Sequence, residues 1–569
     1  MNRPIRPGEI QAWGVPMIDL YLLIWARMSL TRLRATGPLL SFCFLVSLAI
    51  FAGGEIKAQE QTDRVALTPV GTPELRSELF DSIIEMTRRR EAWSPFKESG
   101  MRYDPLSEME ALRAQVVNAD TQEELYYALT LLSNARRDSH LSLTPVPGGL
   151  AGPRASEMRA PIQVLPDYSD MGAPGFFISG VDRGQLTASG LPGADRVQIG
   201  DLIVSVNGRS IPEFVVEFRS WTRHSALQGL YWRLARDIPI RVSATAPWMY
   251  GESLSLELED KSGRRYSATL PYLEPGSVSL ESGEAELYPG FSVVMQRLNF
   301  NVLRPEDGRP IVLLQWLDFE YELIQDVVDL MSYAEAEDIL DHTMVIDVTA
   351  SSGGSRGAYA IQRLVDRPFR TTFGNLRISD AAIEMIEEWA VEPDRDVPEI
   401  FGLNESRSWL HDWARTSARE DIKAGLDYTR ATPFKLAHLP HEDEAGILRP
   451  APVHFRGPIA IIGGPNGGSH LDQFVSMFAD NDLAFTIGMP TGGYSNTWEA
   501  EEILYFPGTD QAVVQFMWNV GHTLRPNGEI LEGNAVQPEV YVPLTRDNFR
   551  TYHRDLLNAA LVRLGRPIS

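Results

Sequence analysis

Cysteine is almost absent: Cys43 is the only one in 569 residues. A disulfide framework and a cysteine-ligated zinc site are thereby excluded, and neither a thiol nucleophile nor a redox centre fits the composition. Lysine is scarce as well, confined to Lys57, Lys97, Lys261, Lys423 and Lys435. Basic residues are outnumbered, with 52 Lys and Arg against 76 Asp and Glu, for a formal charge of −24. A polyanion neutralises no phosphates, so nucleic acid and anionic membrane surfaces are poor candidate partners. Past residue 58 no apolar run is long enough to span a bilayer. What remains is the balance of an ordinary globular protein, 44% hydrophobic and 22% charged. At roughly 150 residues per domain the length suggests about three to four domains.

One stretch, residues 35–54, carries no charge at all, and its middle from Leu39 to Phe51 is strongly apolar. Arg32 and Arg34 precede it, and the small residues Ala52, Gly53, Gly54 and Ala58 follow. Basic, apolar, then small is the order of a secretory signal peptide, so residues 1–58 are expected to direct export and to be cut near Ala58. The alternative is an uncleaved signal anchor, since about 20 uncharged residues just span a bilayer. Met28 is a second possible start. The expected location is periplasmic or secreted, with membrane attachment only if the segment is retained.

Residues 59–158 show helical spacing: Leu79, Ile83 and Met86 make one face, and Leu125, Leu129 and Leu132 another. Both read as core-packing faces. They lead into Asp138-Ser139-His140 and then an alternating strand pattern beginning at Leu141. Residues 159–275 read as a small α+β module. It has a strand over Phe176 to Val181, a Gly190-Leu191-Pro192-Gly193 turn, an apolar strand over Leu202 to Val206 closed by Asn207-Gly208, and a strand at 253–258. Asn-Gly supplies the positive φ values that a tight hairpin needs. The order resembles a PDZ domain, a module that captures polypeptide ends by adding them to a sheet edge. Residues 286–569 alternate strands and helices, the pattern of a parallel α/β sheet. The charged, Trp-containing stretch 376–450 is expected to be a helical insertion.

Three loci carry candidate chemistry. Ser139-His140 sits at a helix–strand junction. Ser351-Ser352-Gly353-Gly354 follows the apolar strand ending at Val348. Gly467-Gly468-Ser469-His470-Leu471-Asp472 follows the strand ending at Gly463 and opens a helical pattern. Ser469 with Asp472 three residues on has the spacing of a helix cap and its acid. Glycines before a serine at a strand-to-helix turn also expose its hydroxyl and let a substrate backbone approach. A Gly-Gly pair supplies either a tight turn or N–H groups for a developing oxyanion. Together the three loci offer a nucleophile, a base and oxyanion donors, which is what acyl transfer requires.

In order and motif this sequence resembles the serine peptidases that include tricorn protease and the C-terminal processing proteases. The matching segments are Asp347 through Gly354, Ser469 with Asp472, Ile487 through Gly493, and Glu532 through Glu539. The processing proteases use a Ser-Lys dyad, but Tyr494 stands at the lysine position and no lysine follows Lys435. The resemblance therefore points to the tricorn branch, whose tetrad would fall on Ser139, His140, Ser469 and Glu532. It implies that Ser469 attacks, His140 takes its proton, Ser139 orients the imidazole and Glu532 holds Ser139. The N–H groups of Gly353 or Gly354 and of His470 would form the oxyanion hole. Thr349-Ala350 and His470-Leu471 depart from the family pattern, the former from an Arg-containing stretch and the latter from small residues.

The fold implied is a ClpP/crotonase-like α/β catalytic domain with an inserted PDZ-like domain and an N-terminal helical region. No cofactor and no metal is expected. The expected partners are peptides or unfolded proteins, with free C-termini bound at the PDZ-like module. The competing reading is a non-catalytic binding protein on the same fold, a PDZ scaffold or a carrier like the retinoid-binding relatives.

Overall fold

A computed structural model describes residues 69–566 apart from 102, 153–155, 284–286, 392–402, 434, 439–444 and 497. The expected signal segment 1–58, with Cys43, lies outside the described residues. Among the described residues no helix is long and apolar enough to cross a membrane.

Five helices open the described part of the protein, and the two longest frame it. The first, α1 (Pro73–Arg90), starts at Thr72, whose hydroxyl accepts the N–H of Leu75, with proline at the first helical position. The second, α2 (Gln122–Asn134), starts in a Thr121–Glu124 capping box. Leu79, Ile83, Leu125, Leu129 and Leu132 are buried, as their spacing predicts.

An antiparallel sheet follows, built from β1 (Ile162–Asp167), β2 (Gly175–Val181) and β3 (Leu202–Val206). After the helix α3 (Leu227–Asp237) it is completed by β4 (Ser253–Glu259) and β5 (Arg265–Pro271). The order is β2-β3-β4-β5, with β1 and Glu281–Ser282 both pairing β2. Asn207 and Gly208 take φ of 49° and 79° and close the hairpin from β3 to Arg209–Ser210, as Asn-Gly predicts.

The central sheet has the order β6-β7-β8-β9-β10-β11-β14. Its strands are β6 (Phe291–Gln296), β7 (Phe300–Pro305), β8 (Ile311–Trp316), β9 (Thr343–Asp347), β10 (Ile459–Gly463), β11 (Phe485–Gly488) and β14 (Val540–Tyr541), the labels β12 and β13 being kept for a separate sheet that precedes β14 in sequence. From β8 to β14 every pairing is parallel, but β6–β7 and β7–β8 are antiparallel. The wholly parallel expectation is corrected by connection length: Arg297–Asn299 and Glu306–Pro310 are hairpin connections, too short for a parallel crossover. Helices α4 (Leu323–Ala336), α5 (Gly357–Leu364) and α6 (His470–Asp480) cover one face. The helix α7 (Tyr552–Arg563) covers the other. The strands alternate accordingly: Met344, Ile346, Ile459 and Ile461 pack with Leu323, Phe474 and Phe478, whereas Val345, Ala460 and Ile462 pack with Leu556, Leu557 and Leu561. Within 376–450 the described helices include Asp380–Trp389 and Leu403–Trp413.

A small separate sheet decides how the two ends of the protein meet. Strands β12 (Glu499–Tyr505) and β13 (Ala512–Asn519) pair with each other, and Leu143–Thr144 joins β13. Their buried residues Val514, Phe516 and Trp518 share one core with Phe80, Ile83 and Leu129 of the opening helices. The segment that follows α2 is thereby carried to the region after β11.

Candidate active site

Ser469 stands between β10 and α6 with φ 61° and ψ −127°, a conformation that non-glycine residues rarely adopt. Its neighbours impose that turn. The Ser469 N–H donates to the Tyr494 carbonyl at 2.5 Å, and the Gly492 N–H to the Gly467 carbonyl at 2.6 Å. The Tyr494 ring lies so close to Gly468 that a Cβ there would meet it at 2.3 Å. The serine hydroxyl makes no capping bond to the helix. Asp472, read from spacing as a capping acid, instead grips the turn after β11. It accepts the Thr491 hydroxyl, the Gly493 N–H at 3.2 Å and the Tyr494 N–H at 2.9 Å. Burial pushes its carboxyl from 3.8 up to about 7.

His140 arrives from the opposite end of the sequence. Its Nε2 lies 3.1 Å from the Ser469 Oγ, and its ring meets the Tyr494 ring edge to face at 5.1 Å between centroids. After α2 the backbone turns at Arg137, which has φ 48°. The wholly buried Arg136 fastens this turn to β13, donating to the Met517 carbonyl at 2.6 Å and pairing with Glu91 at 3.2 Å.

Two buried carboxyls flank the imidazole. Asp138 accepts the His140 backbone N–H at 2.9 Å and the Asn496 amide at 2.9 Å, and its second oxygen is 3.5 Å from the Lys97 ammonium. The same ammonium is 3.0 Å from Glu532. Glu532 accepts the Ser495 N–H at 2.9 Å and a hydrogen bond from Ser225. One ligand atom each of Asp138, His140 and Glu532 fall within 4.8 Å of one another, close enough to hold a metal ion, and the Lys97 ammonium already pairs with both carboxyls.

Charge settles unequally over this cluster. Burial opposes ionisation of Asp138, but Lys97, His140 and the accepted hydrogen bonds outweigh it and hold the carboxyl below its ordinary range. Glu532 is raised, by burial first and then by the neighbouring Asp138. The Lys97 ammonium is also raised: burial works against it, and Glu532 and Asp138 more than offset that. Asp138 is thus the more acidic of the two. Glu499, at the start of β12, is a further partly buried acid near His140, pushed up to about 7 by burial with His140 acting the other way.

The loop after β9 closes the site. Asp347 accepts the Thr349 N–H and hydroxyl and the Tyr288 hydroxyl, which pins the start of the loop. Gly353, at φ 144°, lies against the serine: a Cβ there would stand 2.7 Å from the Gly468 carbonyl and 3.0 Å from the Ser469 Cβ. The Gly353 carbonyl and the Ser355 N–H bond to Phe319, while among the described residues the N–H groups of Gly353, Gly354 and His470 meet no acceptor. The His470 ring is buried, and its Nε2 accepts the Gly357 N–H at 2.8 Å. An acceptor nitrogen must be unprotonated, consistent with burial lowering this imidazole to about 3. His470 therefore binds the glycine loop to the helix that begins beside Ser469.

Of the residues singled out from sequence, Ser469, His140, Gly353 and His470 converge, with Glu532 in the next layer. Ser139 does not take the place expected of it. It forms no hydrogen bond with the His140 ring or with Glu532; its N–H donates to the Ser225 Oγ at 3.1 Å, and Ser225 is the serine that bonds Glu532. The reason is local. The Asp138 carboxylate folds forward onto the His140 N–H, so the charged group beside the histidine is that of Asp138, two residues back. Lys97, Asp138, Ser225, Tyr494 and Glu499 were not singled out as site residues. Only Asp138, inside the Asp-Ser-His triplet, carried a sequence signal.

No family model matches this sequence, and no curated protein matches it. Among solved structures the fold is similar to mature CPAF, with a TM-score of 0.64 and 14% identity over 87% of this protein and 98% of that one. It is equally similar to mature CPAF complexed with lactacystin, with a TM-score of 0.64 and 14% identity over 87% and 99%. The photosystem II D1 C-terminal processing protease aligns with a TM-score of 0.36 at 12% identity. At these identities the likeness is one of fold: a mixed α/β architecture with helices at its N-terminal end.

Two outcomes follow from the buried charges. Lys97→Met leaves Asp138 and Glu532 without a counter-charge and is expected to cost about 3–5 kcal/mol. Adding Glu532→Gln is expected to recover about half of that in urea unfolding; strict additivity of the two losses would contradict the shared ammonium. Asp472 generates the second outcome. Its folded value of about 7 lies above the ordinary 3.8, so the folded state keeps a proton that the unfolded state sheds above about pH 4. That contribution is complete below pH 4 and lost as pH rises through 7. Wild type is expected to lose more stability between pH 5 and pH 8 than Asp472→Asn, and equal losses would assign the pH dependence to other groups.

Proposed function

We propose that this protein is an exported serine endopeptidase acting on peptides or unfolded proteins. The observation that carries this reading is the 3.1 Å approach of His140 Nε2 to a serine hydroxyl held at φ 61° on a turn and left free of any capping bond. A serine at the mouth of a buried helix, with a base at hydrogen-bond distance and unengaged N–H groups beside it, is arranged for acyl transfer.

In this mechanism the Ser469 Oγ attacks the scissile carbonyl carbon while its proton passes to His140 Nε2. The carbonyl oxygen becomes an oxyanion facing the N–H groups of Gly353 and His470, donors already in place before charge develops. The tetrahedral species collapses with loss of the amine, which takes the proton from Nε2, and water then hydrolyses the acyl-enzyme by the same route. His140 Nδ1 is buried without a hydrogen-bond partner among the described residues, so the transient imidazolium is stabilised through space. At no more than 4.8 Å a unit charge on Asp138 contributes about 3 kcal/mol at an effective dielectric of about 20. Asp138 is the partner of the imidazolium in this reading, and Glu532 with Lys97 sets the charge around it.

The finer features belong to the same proposal. The central sheet with its covering helices is read as a ClpP/crotonase-like core. The sheet from β1 to β5 is read as a PDZ-like module that takes free C-termini along an edge. The basic–apolar–small order around residues 35–58 supports export.

Purified protein is expected to cleave a reduced, unfolded protein substrate. Ser469→Ala is expected to lower the rate by roughly 10⁴-fold or more, and His140→Ala to a similar extent. The unfolding free energy of Ser469→Ala should change by about 1 kcal/mol or less, because the hydroxyl caps nothing. Undiminished cleavage by folded Ser469→Ala would remove Ser469 from the chemistry.

A further inference from the structure

Three consecutive residues reach the serine, the histidine and both acids of the site. Tyr494 accepts the Ser469 N–H at its carbonyl and lays its ring against His140. Ser495 donates its N–H to Glu532 at 2.9 Å, and its hydroxyl accepts the Gln473 amide of α6 at 3.0 Å. Asn496 donates through Nδ2 to Asp138 at 2.9 Å. That bond ties the segment holding Ser469 to the turn that carries His140.

Asn496 cannot turn its amide round. The Gly521 N–H can only donate, and it donates to Asn519 Oδ1, at the end of β13, at 3.1 Å. Asn519 therefore presents Nδ2 to its other neighbours, the Ala92 carbonyl at 3.4 Å and Asn496 Oδ1 at 2.8 Å. With its oxygen taken, Asn496 has Nδ2 left for Asp138. A backbone N–H two side chains away thus sets the direction of the last bond. Asn519, Asn496 and Asp138 are all buried, where a reversed amide would set two acceptors face to face.

Seen from Asp138, every hydrogen-bond partner is a donor: the His140 N–H, the Lys97 ammonium and the Asn496 amide. A carboxylate accepts from all three, whereas a protonated carboxyl would point a donor at a donor. The ammonium stands 3.5 Å away and is shared with Glu532, which leaves the amide as the closest side-chain donor.

We propose that Asn496 is a positioning residue, whose fixed amide holds Asp138 as an acceptor in one orientation beside His140 and so supports proton transfer from Ser469. The proposal rests on the peptidase reading, in which Asp138 stabilises the imidazolium.

Two measurements on the full-length protein test this. The first uses a fluorogenic peptide carrying a cleavage site mapped on the unfolded substrate. Asn496→Leu removes the amide at similar size, and Asn496→Ser removes it with a smaller, polar side chain should the first variant not fold. Each is expected to lower kcat by about tenfold with KM changed by less than about twofold. In an Asp138→Ala background the same substitution is expected to cost less than about twofold, because the residue through which Asn496 acts is gone. An equal loss in both backgrounds would make the role one of packing and overturn the proposal, as would unchanged kcat in the folded variants.

The second measurement needs no activity. In protein labelled with 13C at the aspartate carboxyls, the Asp138 signal is identified by its loss in Asp138→Ala. Burial opposes ionisation of this carboxyl, and Lys97, His140 and the Asn496 amide favour it. Arg136 and Arg223 also face it with opposite charge, and Glu91, Glu499 and Glu532 with like charge. All of these remain in Asn496→Leu, so losing the amide is expected to move the Asp138 titration to higher pH. An unshifted signal would overturn the positioning role whether or not the protein cleaves. A shifted signal in a protein that cleaves nothing would uphold the hold on Asp138 and overturn the peptidase reading.

Discussion

One buried ammonium joins parts of this molecule that lie far apart in sequence. Lys97 stands between Asp138, beside the histidine, and Glu532, in the segment that leads to β14. Burying two carboxyls and an amine costs more than their attraction returns unless hydrogen bonds complete the set. Here the backbone N–H groups of His140 and Ser495 and the Asn496 amide supply such bonds. The histidine locus can therefore occupy one position only. The shared core of α1, α2 and β13 supplies the bulk stabilisation, and the charged cluster supplies the register in which His140 faces Ser469.

The serine side is built by a different means. Asp472 and the glycines before Ser469 force the backbone into a conformation that serine does not choose unaided, and a residue held in such strain needs neighbours that over-determine it. The Tyr494 segment is that neighbour. It accepts the Ser469 N–H, donates its own N–H to Asp472, and places its ring against both Gly468 and His140. Tyr494 packs here, and the imidazole that approaches Ser469 comes from the opposite end of the sequence.

Local signals in the sequence carried much of this. Ser469 after two glycines, the Gly353-Gly354 pair after an apolar strand, and a histidine next to a turn each had a short-range signature, and the structure brings three of these loci together. The strand Leu202–Val206 with its Asn-Gly turn was equally legible, because hairpin geometry is set by two residues. What stayed hidden was long-range. Nothing near Lys97 marks it as a buried counter-ion, and nothing near Ser225 distinguishes it from other loop serines; both acquire meaning from partners hundreds of residues away. The hydrogen bond that reaches the histidine's backbone comes from Asp138 and not from the neighbouring Ser139, a difference set by how the turn after Arg136 is folded. The antiparallel start of the central sheet is written in the short lengths between its apolar runs and not in the runs themselves.

The central claim is that Ser469 is a nucleophile activated by His140. Reaction with a fluorophosphonate, followed by mass spectrometry of the labelled peptide, tests it without knowledge of any substrate. The account predicts a single adduct on Ser469 in the folded protein, with labelling slowed by orders of magnitude in His140→Ala. An unlabelled Ser469 in folded wild-type protein, or labelling that does not depend on His140, would contradict it.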